Sequence, residues 1–287
     1  MAVNRHYEKD GRVYRIYESV SDMVDEANQP DAHRQERYSE FTTSFIGRDI
    51  KTWFAARSAC SSIWRQGDEI ISGMLAELGR VDLPKPKCRK RRRHWSEDNG
   101  GEVDYDRLRI GQPFWRESRR EQHTGSQFVT IVVDLGANCG VKADKILWRG
   151  AAAVVLAKLL EEAGYRVELW GCFRASGMYH VGPRDIFSAV CLKRPQEPLD
   201  IQSLTIAVSG WFFRTVGFRS FCVASRGTDS CLGSHRIPED ACLDEITPDA
   251  KRITIHSVWA KDAAIELVRQ TVAAIDGRVL AGDPAAA

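Results

Sequence analysis

Asp134 is the residue of this chain best placed to do chemistry. The apolar run Phe128-Val129-Thr130-Ile131-Val132-Val133 ends on it, and a loop of small residues follows, Leu135-Gly136-Ala137-Asn138-Cys139-Gly140. A carboxylate at the carboxyl end of a strand can bond freed loop amides, cap the next helix or offer oxygen to a hard cation. Its neighbours add little to that set, because Gly136 has no side chain and Asn138 contributes one carbonyl oxygen. The other constellations are thinner still. The seven histidines, at 6, 33, 94, 123, 180, 235 and 256, show no His-x-x-x-His spacing. Cys231 and Cys242 flank His235, but the spacing misses the Cys-x-x-Cys signature of a zinc site, so these read as ordinary thiols. A hydrolase would need a nucleophile with its base, and no Gly-x-Ser-x-Gly elbow is present; no Gly-x-x-x-x-Gly-Lys-Ser/Thr loop for a nucleoside triphosphate is present either. The residue types favour binding over catalysis.

A second candidate is electrostatic. Lys85, Lys87, Arg89, Lys90, Arg91, Arg92 and Arg93 form a basic run with Trp95 just beyond it. Arginine and lysine suit phosphates and a tryptophan suits base stacking, so the run is a nucleic-acid candidate. Pro84 and Pro86 stop any helix there, and the acidic stretch that follows, with Glu97, Asp98, Glu102, Asp104 and Asp106, can neutralise part of the charge. The default reading of such a run is a solvated boundary or edge strand.

The whole chain sets the frame for both. Its 287 residues are 43% apolar and 28% charged, with a formal charge of +2, so no global field drives it onto nucleic acid or membrane. The eight cysteines, at 60, 88, 139, 172, 191, 222, 231 and 242, contain no Cys-x-x-Cys pair and suit reduced thiols in a cytoplasmic protein. No apolar leader follows Met1, and no apolar span reaches membrane length.

The elements that must position these residues follow from periodicity. Residues 1–84 read as a helical extension, with segments at 19–27, 49–58 and 64–78; Ser21 and Asp49 are the expected N-caps and Gly79 a stop. Ile70, Ile71, Met74, Leu75 and Leu78 form one packing stripe. Residues 85–127 read as a basic and acidic connecting segment, 128–276 as an α/β domain and 277–287 as a disordered tail. Within the domain, 128–134 is expected to be a central parallel strand, apolar on both faces. Residues 142–164 form a buried helix that Arg149 and Gly150 interrupt, allowing close approach; 165–173 and 185–192 are strands, 201–216 a helix opened by Pro198, and 218–224 a short strand. Residues 225–249, rich in Gly, Ser, Pro and Asp, read as a long loop, followed by a strand at 252–259 and a helix at 262–275.

Several of these segments together resemble a known domain. Asp104-Tyr105-Asp106-Arg107-Leu108, then Phe114-Trp115-Arg116-Glu117, the strand ending at Asp134 with its loop and helix, and Gly164-Tyr165-Arg166-Val167-Glu168-Leu169-Trp170-Gly171-Cys172-Phe173 resemble the von Willebrand factor A-like domain over residues 104–276. The nearest flavour is the cobalt-chelatase accessory subunit that partners a MoxR-class AAA+ ATPase. The resemblance implies a three-layer, doubly wound, mostly parallel α/β sheet (vWA/Rossmann-like) and a metal-ion-dependent adhesion motif, Asp-x-Ser-x-Ser, that helps hold magnesium with a later threonine and aspartate. Asp134 matches, Gly136 and Asn138 replace the two serines, and Asp185, Asp229 and Asp244 are the candidates for the later aspartate. The motif is degenerate, so the resemblance implies weak Mg2+ binding or no cofactor at Asp134 and Asn138, with a protein partner, an AAA+ ATPase among them, as the expected ligand of the sheet top. The expected function is a non-catalytic interaction module, with nucleic-acid binding through 85–93 as the first alternative and a metal-dependent hydrolase as the second.

Overall fold

The computed structural model describes residues 5–29, 43–79, 81, 83, 85, 87–97, 102–124, 128–179, 182–220, 234–247 and 252–280. Its strands are β1 (Arg5–Lys9), β2 (Arg12–Tyr17), β3 (Lys87–Ser96), β4 (Glu102–Val103), β5 (Trp115–Thr124), β6 (Phe128–Asp134), β7 (Arg166–Tyr179), β8 (Gly182–Lys193), β9 (Ser234–Arg236) and β10 (Ile253–Ile255). Seven of them form the central sheet, in the order β1-β2-β8-β7-β6-β10 with β9 also on β7. β6 lies parallel to both neighbours: Ile131 pairs with Leu169 on one side and Ile253 on the other, as its two-faced apolar run requires. β2 is parallel to β8, whereas β1–β2, β7–β8 and β7–β9 are antiparallel.

The N-terminal residues depart from the helical expectation. They open with the β1–β2 hairpin, whose turn residues Asp10 and Gly11 both have positive φ, 52° and 71°. Both central residues of a type I′ turn require that conformation, and Asp-Gly supplies it cheaply. Helices follow: α1 (Val20–Ala27), α2 (Thr43–Ile46), α3 (Trp53–Cys60) and α4 (Arg65–Leu78). The caps differ from those expected. The Ser19 hydroxyl accepts from the Asp22 amide and the Thr52 hydroxyl from the Ala55 amide, because each is the last extended residue before its helix. Gly79 ends α4 with φ of 67°, and Ile71, Met74 and Leu78 are the buried part of its stripe.

Residues 87–124 are not a plain connection. β3, β5 and β4 pair into a separate antiparallel sheet, with ten residue pairs running from Lys87 opposite Thr124 to Ser96 opposite Trp115. α5 (Tyr105–Arg109), capped by Asp104, joins β4 to β5.

α6 (Ala143–Glu162) runs unbroken through Arg149 and Gly150. The expected interruption is absent because Gly150 acts in packing instead: a Cβ on it would stand 2.5 Å from the Val208 carbonyl oxygen, so only glycine permits this crossing by α7 (Ile201–Ala207) and the turn after it. α8 (Gly210–Phe212) continues into a π-helical turn, Phe213–Gly217, and residues 218–220 are helical where a strand was expected. The rest of that segment, like 225–233 of the expected loop, lies outside the described residues. Residues 234–247 carry structure rather than loop: β9, then α9 (Asp240–Leu243). The last helix, α10 (Lys261–Leu280), continues into the region expected to be a tail; 281–287 lie outside the described residues.

Two cores sandwich the sheet. Val13, Tyr17, Ile131, Val133 and Val167 face the helices α1 to α4, α6 to α8 and α10. On the other face Tyr14, Ile16, Val132, Trp170 and Phe187 form a smaller cluster, and the helix whose side chains join it among the described residues is α9. Arg12 and Arg174 both bond Asp185 and both reach Glu239, tying the approach to α9 onto this face. Among the described residues, no helix is long and apolar enough to cross a membrane.

Candidate functional site

The site builds outward from the end of β6. Asp134 Oδ1 accepts from the Gly136 amide at 2.9 Å, turning the chain off the sheet. Arg149, placed by the second turn of α6, brings Nη1 to 3.3 Å from Asp134 Oδ2 and donates Nη2 to the Gly136 carbonyl at 2.6 Å. Trp259, just after β10, lies with its ring centroid 4.7 Å from the guanidinium. His235 closes the remaining side. Antiparallel pairing sets it opposite Ala175 of β7, and its Nε2 lies 2.9 Å from Asp134 Oδ2 and 3.2 Å from Oδ1. A carboxylate paired with a guanidinium only accepts, so Nε2 carries the proton in this contact. The His235 amide also donates to Asn138 Oδ1 at 3.1 Å.

Gly136 has a specific part in this closure. A Cβ there would stand 2.3 Å from His235 Cδ2 and 2.7 Å from Nε2, so any side chain at the first serine position would expel the imidazole. The loop is also held from below. Arg214, fully buried in the π-helical turn, donates to the carbonyls of Phe45, Asn138 and Val141, and its guanidinium lies 3.8 Å from the Phe45 ring centroid. Burial pushes the Arg214 pKa down to about 10, which leaves it charged at neutral pH. Burial likewise lowers that of Arg149, against the pull of the Asp134 charge. Two buried arginines thus staple one loop, while its tip, Asn138, Cys139 and Gly140, is exposed.

Asp134 itself is 1% exposed, so the strand-end carboxylate that could have offered oxygen to a cation is not open to one: Arg149 and His235 cover it. Magnesium takes oxygen ligands at about 2.0–2.1 Å in a near-octahedral array. Here a guanidinium and an imidazole N–H face Asp134, and Asn138 Oδ1 is engaged by a backbone amide, so these residues do not fit that ion. The later-aspartate candidates are committed elsewhere: Asp185 to Arg12 and Arg174, and Asp244 to Arg252 at 2.5 Å; Asp229 lies outside the described residues. Cys242 Sγ accepts from Arg12 Nη1 at 2.9 Å, not from the surroundings of His235, and Cys231 lies outside the described residues. No group of three or more His, Cys, Asp or Glu side chains that could hold a metal occurs among the described residues.

The basic run is assembled separately. Lys85 is exposed and precedes β3; Lys87, Arg89, Lys90, Arg91, Arg92 and Arg93 occupy β3 with Trp95 near its end. The Arg107 guanidinium covers the Trp95 ring at 4.3 Å. Sequence reasoning missed His235, Arg149, Arg214 and Trp259 as members of the first site. Arg149 carried the one usable signal, a cation embedded in the otherwise apolar middle of α6, residues 146–157.

Fold and site together define an α/β protein in which a strand-end carboxylate is sealed by a buried cation rather than left open to a ligand. The chain belongs to the family DUF7192, a domain of unknown function, which matches residues 5–278 and so runs from β1 into the last turn of α10. No curated protein and no solved structure matches it.

Proposed function

We propose that this protein is a non-catalytic, vWA-like interaction module that presents the tip Asn138-Cys139-Gly140 to a protein partner, of which an AAA+ ATPase is the leading class. The observation that carries the reading is the closure of Asp134 by Arg149 and His235 beneath an exposed tip, in a loop whose Gly136 carbonyl is held by Arg149 and whose Asn138 and Val141 carbonyls are held by Arg214. A loop that is already ordered loses little conformational entropy when a partner covers it. The parallel β7-β6-β10 core with its α6 crossover favours the vWA-like relation, and the buried carboxylate argues against metal-assisted hydrolysis at this point.

Gly140→Arg tests it, because a Cβ at Gly140 meets open space and the fold has room for the change. Affinity capture with the full chain should recover an ATPase that the variant loses at least tenfold, with unchanged melting. Equal capture by both proteins, or tight magnesium uptake by the wild type in calorimetry, overturns the reading.

A further inference from the structure

The register of the β3–β5 ribbon sorts its charges by face. Residues paired across an antiparallel ladder share a face, and alternate residues along a strand lie on opposite ones. One face therefore holds Lys87, Arg89, Arg91 and Arg93 of β3 with Arg116 and Arg120 of β5, against the single carboxylate of Glu102 on the β4 edge. The other holds Lys90, Arg92 and Arg119 against Glu117 and Glu121, which is close to neutral. The carboxylates of the paired strands thus do little to offset the first face. Folding does not account for the pattern either. Arg91 stands directly opposite Arg120 and Arg92 directly opposite Arg119, and like charges in that position destabilise a ladder.

We infer that the face carrying Arg89, Arg91 and Arg93 is a docking surface for the phosphate backbone of duplex DNA. Ten residues of strand extend about 33 Å, enough to follow a groove past many phosphates. A two-stranded ribbon fits the B-form major groove, about 12 Å wide, whereas the deep, narrow major groove of A-form RNA does not admit it. Single strands are disfavoured because their capture relies on open aromatic platforms. Trp95, the tryptophan on this face, is 36% exposed and has the Arg107 guanidinium over its ring at 4.3 Å, with Arg116 at 5.8 Å, so it is one partly engaged ring and not a run of open platforms. The inference is independent of the loop at Asp134.

Arg116 is paired with Glu102 at 3.2 Å, so the register leaves Lys87, Arg89, Arg91, Arg93 and Arg120 as the cations that this face offers to phosphates. Five phosphate contacts give a slope of log K against log salt of about −4.5, or about a 500-fold loss of affinity between 50 and 200 mM salt. Fluorescence anisotropy of the full chain with a 30-base-pair duplex should show that slope. The triple variant Arg89→Gln, Arg91→Gln, Arg93→Gln should reduce it to about −1.8, a loss of only about twelvefold over the same range. Lys90→Gln, Arg92→Gln, Arg119→Gln removes as many charges from the same ribbon and should leave the slope near the wild-type value. Both variants relieve an arginine pair, so neither endangers the ladder, and circular dichroism checks it. The inference fails if the two triples weaken binding equally, if single-stranded DNA or duplex RNA binds as well as duplex DNA, if phosphatidylserine vesicles or polyglutamate compete on equal terms, or if the wild type does not bind the duplex.

Discussion

Arg149 and Asp134 are 0% and 1% exposed, and their pairing decides what the end of β6 can do. Desolvating two charges is costly, so such a pair adds little stability over an apolar replacement, yet losing one partner strands the other in a medium that cannot solvate it. Arg149→Met should therefore cost about 3–5 kcal/mol in urea unfolding. Asp134→Asn combined with Arg149→Met should recover much of that loss, since the carboxylate that lacked its buried cation is gone. Additive single costs in the double-mutant cycle would mean that the two side chains act separately. At this scale the sequence was half informative. It marked Asp134, because a carboxylate after five apolar residues is conspicuous, and it marked Gly136 and Asn138 as departures from a metal motif. It could not show that the space vacated by a serine admits His235, which lies 101 positions from Asp134 and arrives only through the pairing of β9 with β7.

Elements with a strong local signature were legible: β6 and α6 by apolar residues on every face, α4 by its stripe, β8 by its run of buried residues. β9 was not, being three residues long in a stretch rich in loop-formers and held by tertiary pairing alone. The β1–β2 hairpin was hidden by its polar alternation, although Asp10-Gly11 is a strong short-range hairpin signal. A pH response belongs to this element. Arg15 Nη1 lies 2.7 Å from His6 Nδ1, and His6 Nε2 lies 3.4 Å from Glu26 of α1. Burial, followed by the Arg15 charge, lowers the His6 pKa from 6.5 to about 4. The imidazole is therefore neutral at pH 7: Nδ1 accepts from Arg15, and the 3.4 Å approach of Nε2 to Glu26 is not an ion pair. Above pH 6.5 folded and unfolded chains both carry neutral His6, and its contribution is complete. As pH falls from 6.5 towards 4 the unfolded chain binds a proton that the folded chain resists, so stability declines through that window. His6→Gln offers Arg15 an acceptor and Glu26 a donor without titrating. Urea midpoints at pH 4.5 and 7 should lie closer together in the variant than in the wild type; an unchanged gap would assign the acid sensitivity to other groups.

For the molecule as a whole, the position of the hairpin changes what counts as the folding unit. Residues 1–84 read in sequence as an extension docked on a domain that starts at 128, a division that would let the domain stand without them. In the structure β2 lies inside the sheet, between β1 and β8, and its alternate residues enter both cores: Val13 and Tyr17 pack on the helical side, Tyr14 and Ile16 on the other. Without β2, the backbone of β8 from Asp185 to Val190 would lose its parallel partner, and an apolar strand would become an open edge. The family match from residue 5 is consistent with one unit that begins at the hairpin. Ile16 is completely buried, so Ile16→Ala should lower stability by about 2–5 kcal/mol. Deleting residues 1–17 should abolish cooperative unfolding and leave aggregating protein. A chain beginning at residue 18 that melted cooperatively at the wild-type temperature would show instead that the remaining sheet tolerates β8 as its edge, and that the hairpin is an accessory after all.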